Sequence, residues 1–126
     1  MARILIVEDY LDLVYFFSVF LEREGFQVKS VPSKKGIESN IDHFNPDLVL
    51  LDVKLSSDDG REICKAIKQM NKAIPVILMS TNPQLLENYI KYNADDIIEK
   101  PFDNDEVLNK INNILADKKL ITLNGN

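Results

Sequence analysis

Short runs of consecutive apolar residues alternate along this chain with longer stretches in which apolar positions recur every three or four residues. The runs are Ile4 to Val7, Phe26 to Val31, Leu48 to Leu51, Val76 to Met79 and Ile97 to Ile98, all of strand length. Between them, Leu11, Val14, Tyr15, Ser18 and Leu21, and later Val107, Leu108, Ile111, Ile114 and Leu115, mark amphipathic helices. Runs without polar alternation suit strands covered on both faces. The pattern therefore predicts an α/β fold, a doubly wound parallel sheet of five strands with helices on each side.

Boundary residues support this parsing. Gly25 follows Glu22-Arg23-Glu24 as a helix C-terminal glycine, Ser33 precedes a helical stretch, and Asn82-Pro83 opens another with proline at a first helical position. Asp103 or Asn104 can cap the last helix, and Lys118-Lys119 suit its electronegative end. The pattern fades after Lys119, so the expected domain is 1–120, followed by a tail at 121–126.

A length of 126 residues, 45% apolar and 28% charged, fits one self-folding domain and leaves no room for a second catalytic one. The net charge of -5 argues against direct nucleic-acid binding, which is dominated by Lys and Arg. Cys64 has no partner for an internal disulfide or for metal-ligand spacing. The opening Met1-Ala2-Arg3-Ile4 to Val7 is too short for a signal segment, and no run reaches membrane-span length. A cytoplasmic location with no membrane partner is the expectation.

In open parallel sheets, ligands collect outside the carboxyl ends of the strands. The runs end in Glu8-Asp9, Asp52, Ser80-Thr81 and Lys100-Pro101, which places all four on one edge. Three carboxylates crowded there repel one another unless a cation joins them. Mg²⁺ prefers oxygen ligands and shares its octahedron between carboxylates, water and phosphate oxygens. A carboxylate can also attack phosphorus to form an acyl phosphate, and Asp52 is the best placed to do so. A lysine supplies a point charge for phosphate oxygens and Ser80 a hydroxyl. Taken singly, each piece has a plainer reading. Glu8-Asp9 is a helix cap as readily as a metal site, Asp52 is a turn former, Ser80-Thr81 caps the next helix, and Lys100-Pro101 is a solvated turn. Their joint occurrence at strand ends favours the chemical reading.

Other conspicuous residues have structural explanations. His43 ends a helix, where a histidine suits the dipole. Tyr15, Phe16, Phe17 and Phe20 read as helix packing, with Phe17 or Phe20 as candidates for an exposed apolar patch. Asp58-Asp59-Gly60 lacks the calcium-loop pattern, and Asp59 reads as a cap for a helix from Arg61 to Met70.

With these positions together, the chain resembles the receiver domain of two-component response regulators over nearly its whole length. The resemblance rests on Ile4-Leu5-Ile6-Val7-Glu8-Asp9, Pro46-Asp47-Leu48-Val49-Leu50-Leu51-Asp52, Asp59-Gly60, Pro75-Val76-Ile77-Leu78-Met79-Ser80 and Lys100-Pro101-Phe102. It implies a CheY-like, flavodoxin-like sheet in the order 2-1-3-4-5 flanked by five helices. It also implies a phosphoacceptor at Asp52, with Ser80 and Lys100 on the phosphoryl group. Mg²⁺ would be held by Glu8, Asp9, Asp52 and the backbone carbonyl of Val53. A cis Lys100-Pro101 peptide is implied by the same resemblance. The implied partners are a histidine kinase or phosphotransfer protein, and a downstream effector or a missing output domain, with homodimerisation on phosphorylation as one readout. The function implied is that of a phosphorelay acceptor, not an enzyme.

The sequence departs from the family pattern at Ile97, where an aromatic is common, at Ser56, where proline is usual, and at Thr81, where alanine is common. Lys54 and Asn82 flank the site, and Lys54 could contact the acyl phosphate or hinder an attacking water. The alternative is a pseudo-receiver that binds partners without phosphorylation. An aspartyl phosphatase needs a second Asp where Lys54 stands.

Overall fold

The computed structural model describes the backbone of residues 1–123 and the side chains of residues 1–119. Five strands, β1 (Arg3–Val7), β2 (Gln27–Val31), β3 (Leu48–Asp52), β4 (Val76–Ser80) and β5 (Asp96–Glu99), form one parallel sheet in the order β2-β1-β3-β4-β5. Four α-helices occur among the described residues: α1 (Leu11–Arg23), α2 (Ile37–His43), α3 (Gly60–Met70) and α4 (Asn104–Leu123).

Alternate residues of the central strands serve opposite faces. Leu5 and Val7 of β1 join a buried cluster with Ile37 and Ile41 of α2 and Ile63, Cys64 and Ile67 of α3. Ile4 and Ile6 join another with Phe17 and Leu21 of α1 and Val107 and Ile111 of α4. Both faces are dry, which is why β3 and β4 are apolar at every position before their terminal Asp52 and Ser80. Each such side chain contributes about 1.5–3 kcal/mol on burial, so commitment to two cores holds these strands in place. Strand β2 is one of the two edges of the sheet, and of its residues only Val31 is buried. Exposed Lys29 there discourages pairing with another chain.

Several expected boundaries are present. Gly25 takes the left-handed conformation (φ 93°) after α1, Asp59 caps α3 by accepting the Arg61 amide at 2.9 Å, and Asp103 accepts the Asp105 amide at 3.1 Å. Helix α2 begins later than Ser33 suggested. Gly36 stands before it at φ 88°, and the chain turns there before the helical bonding starts.

The expectation of five helices needs correction. Asn82 does cap the segment opened by Pro83, accepting the Gln84 amide at 3.0 Å, but this segment forms two separate 3₁₀ turns, Pro83–Leu86 and Tyr89–Tyr92. Asn88 breaks the helical conformation between them (φ -105°, ψ 36°), and Asn93 ends the second turn at φ 66°. Leu85, Leu86 and Tyr89 reach the core from these short turns, whereas Ile90 is left 72% exposed. No continuous apolar face remains to stabilise a longer helix against its nucleation cost.

Helix α4 runs through Leu123, past the point where the apolar pattern fades, and residues 124–126 of the expected tail lie outside the described residues. Among the described residues, no helix is long and apolar enough to cross a membrane.

Candidate functional site

Because every strand runs the same way, the residues that follow β1, β3, β4 and β5 meet at one edge. Glu8, Asp52 and Ser80 are the buried polar residues of the fold's described part, at 2%, 6% and 3% exposure. Burying polar groups this deeply is costly unless they are partnered. Their partners define the site.

Lys100 lies on the loop after β5, joined to Pro101 by a cis peptide, and inserts its ammonium between two carboxylates. Its Nζ lies 2.7 Å from Asp52 Oδ1 and 2.9 Å from Glu8 Oε1. The other Glu8 oxygen, Oε2, accepts the amides of Asp9 at 3.0 Å and Tyr10 at 3.2 Å. Glu8 therefore organises the start of α1 and belongs to the site at once. The Lys100 amide donates to the Ser80 carbonyl at 2.8 Å, which ties the lysine to the end of β4. Phe102 anchors the same loop by stacking on Phe17, with ring centroids 5.2 Å apart.

Ser80 accepts the Asn82 amide on Oγ at 3.0 Å, so its hydroxyl proton remains available to donate. Asp9 is reached from across the cleft by Ser56, whose amide donates to Oδ2 at 2.7 Å and whose hydroxyl donates to the same oxygen. Carboxylate oxygens of Glu8, Asp9 and Asp52, one from each, all lie within 4.8 Å of one another. Three carboxylates against one ammonium leave a net charge of -2 when all are ionised. A hard divalent cation matches both that charge and the all-oxygen donor set.

The electrostatics show this tension. Burial pushes the Asp52 carboxyl up to about 6, against the pull of Lys100 and with the help of the charges on Glu8 and Asp9. Burial disfavours the Lys100 ammonium, but its hydrogen bonds to Asp52 and Glu8 outweigh that and raise its pKa. Asp9 is held below the usual carboxylate range, chiefly by the Ser56 hydroxyl.

The Asp52 shift has a measurable consequence. The folded state of the metal-free protein holds this proton more tightly than the unfolded chain, whose value is near 3.8. The contribution of this group to stability is accordingly full below about pH 4 and is lost as pH rises to about 6, opposite in sign to that of the lowered Asp9 and Asp59. Replacing Asp52 with Asn removes that loss. In EDTA, Asp52→Asn should gain on the wild type across this window by on the order of 3 kcal/mol relative to their difference at pH 4. Urea denaturation from pH 4 to 8 checks this, and a pH-independent difference would contradict it.

One sequence expectation is placed differently. The Val53 carbonyl, expected to face a cation, accepts the Gly60 amide at 2.6 Å, and a ligand role would have to use its second lone pair. Lys54, Thr81 and Asn82 flank the site and are exposed, whereas Ile97, in the common aromatic position, packs against the core on the α2 and α3 face. His43 caps its own helix by contacts to Ser39 and takes no part. Phe17 is fully buried, while the exposed apolar residues of this region are Tyr10, Leu11, Tyr15 and Phe16. Two contributors were missed in the sequence. Ser56 holds Asp9, and Gly60 passes against the backbone of Asp52; a glycine at the first position of a helix was the available signal for the second.

A parallel sheet in this order, with an acidic trio, a buried lysine and a serine at its carboxyl edge, defines the class of aspartate-centred receiver folds. The family model of the response regulator receiver domain matches residues 4–112, and the chain belongs to that family, a component of two-component systems. Response regulator ArlR of Staphylococcus aureus is 35% identical over 131 residues, covering 99% of this chain and 59% of that protein. The chain thus spans about three-fifths of the length of the curated relatives it matches. Among solved structures, the receiver domain of NtrX from Brucella abortus superposes with a TM-score of 0.84 at 28% identity, over 90% of this chain and 98% of that one. A two-component response regulator from Clostridium difficile superposes at 0.85 with 25% identity, over 92% and 97%.

Proposed function

We propose that this domain accepts a phosphoryl group on Asp52 from a histidine kinase or phosphotransfer protein, with Mg²⁺, and signals through altered protein binding. The observation that carries this reading is the buried Asp52 carboxylate, gripped on one oxygen by Lys100 beside two further carboxylates and the Ser80 hydroxyl. Lys100 holds Oδ1, which leaves Oδ2 to approach phosphorus. A P–O bond forms from Asp52 as the P–N bond to the donor imidazole breaks, and the imidazole leaves with the bonding electron pair. Lys100 and the Ser80 hydroxyl then have phosphoryl oxygens within their reach as acceptors, in a transfer governed by positioning and charge neutralisation.

Glu8, Asp9 and Asp52 would hold the cation, which when bound neutralises charge on the phosphoryl oxygens. Since the Val53 carbonyl is taken up by Gly60, the Lys54 carbonyl, which accepts no hydrogen bond from the described residues, is the better backbone candidate. The acceptor is loaded once per chain, so the domain acts as a signalling substrate and not as a turnover enzyme. Exposed Tyr10, Leu11 and Tyr15, adjoining Asp9, offer an apolar surface that suits a protein donor. With Ile97 in place of an aromatic, readout falls to the Ser80–Tyr92 stretch, whose short turns are held by few buried side chains.

Incubation with acetyl phosphate or phosphoramidate and Mg²⁺ should add the mass of one phosphoryl group per chain, and Asp52→Asn should abolish the gain. A folded wild type that gains nothing under these conditions would instead support a phosphorylation-independent interaction module.

A further inference from the structure

Asp9 sits on the loop between β1 and α1, half-buried, and its side chain is fixed from a loop 47 residues away. The amide and the hydroxyl of Ser56 converge on a single oxygen, Oδ2. Both donors belong to the segment between β3 and α3, just after the phosphoacceptor. A carboxylate held on one oxygen by two donors cannot rotate freely about its side-chain torsions, and its other oxygen keeps one direction. Asp9 also contributes one carboxylate oxygen to the trio with Glu8 and Asp52, so the same clasped carboxylate serves that cluster.

We infer that Ser56 is a positioning residue for cation binding, a two-donor clasp that sets Asp9 so that one carboxylate oxygen completes the acidic trio. The inference rests on the reading that this trio holds a divalent cation. Ligating carboxylates depend on such outer partners, whose removal typically lowers metal affinity by about 10–100-fold. A donor that only competed with the cation for Oδ2 would have the opposite effect, its removal tightening binding. The sign of the change in affinity decides between the two.

The test is calorimetric titration of the metal-free domain with Mg²⁺, using the wild type, Ser56→Ala and Ser56→Thr. Ser56 is exposed, so the fold should survive these changes, and circular dichroism verifies it. Ser56→Ala loses the hydroxyl and should bind Mg²⁺ about tenfold more weakly. Ser56→Thr restores the hydroxyl and should bind close to the wild type, a rescue that a purely structural role for the position would not produce. Equal or tighter Mg²⁺ binding by folded Ser56→Ala would overturn the inference while leaving the cation site intact. Absence of Mg²⁺ binding by the wild type would instead remove the cation reading itself.

Discussion

Lys100→Ala is expected to destabilise the metal-free domain by about 3–5 kcal/mol, the usual cost of removing one partner from a buried ion pair. The Lys100 ammonium is 16% exposed and contacts carboxylates that are 1% and 8% exposed, on Glu8 and Asp52. Without it both lose their only cationic partner among the described residues, and neither can turn to water. Domains of this kind have about 5–15 kcal/mol in total, so a loss of this size is a large fraction. Added Mg²⁺ should restore part of it, because a cation at the acidic trio would take over the neutralisation. Urea midpoints in EDTA and in Mg²⁺ measure both effects. A loss below about 1 kcal/mol, or one indifferent to Mg²⁺, would show that the lysine is not what holds these charges. Phosphorylation of whatever folded variant remains should also slow sharply, since the phosphoryl oxygens lose their point charge.

Gly60→Ala should be comparably severe for a different reason. A Cβ at this position would lie 2.0 Å from the Asp52 carbonyl oxygen, 2.8 Å from its carbonyl carbon and 2.9 Å from Val53 Cα. All three are backbone atoms at the end of the strand that carries the phosphoacceptor, so no side chain can move aside. The Gly60 amide also donates to Val53 at 2.6 Å, which holds the start of α3 against the exit of β3. Relief requires the helix to lift away or Asp52 to shift. The expected cost exceeds about 3 kcal/mol, in the range reserved for backbone clashes and buried defects, and corresponds to a fall in melting temperature of about 10 °C or more. Gly25→Ala is the comparison, because its Cβ would meet nothing within 4 Å and only its positive φ is unfavourable. If Gly60→Ala were no worse than Gly25→Ala, the close approach would be unimportant.

Much of the site was legible along the chain because each contributor ends an apolar run. Parallel strands place such ends together, so Glu8, Asp52, Ser80 and Lys100 could be gathered without coordinates. Their roles as phosphoryl and cation contacts came from the chemistry of those groups and from the family pattern. The segment from Pro83 to Tyr92 could not be read in the same way. Its proline and asparagine signals mark a helix start, but Asn88 breaks the helical conformation after the first turn, and the chain forms two short turns in place of one continuous helix. The Val53 carbonyl illustrates another limit: which way a peptide points at a strand exit depends on the neighbour that meets it, here Gly60.

By itself the sequence determined the five strands, the two dry faces of the sheet and the acidic, hydroxyl and basic groups at one edge. These arise from local periodicity and from the rule that strand ends collect function in a parallel sheet. Only the tertiary structure decided that Lys100 bridges Glu8 and Asp52, 92 and 48 residues away, that Ser56 clasps Asp9, and that Gly60 presses on the Asp52 backbone. Those contacts depend on distances and directions between loops far apart in the chain, which no pattern of residue types along one segment encodes.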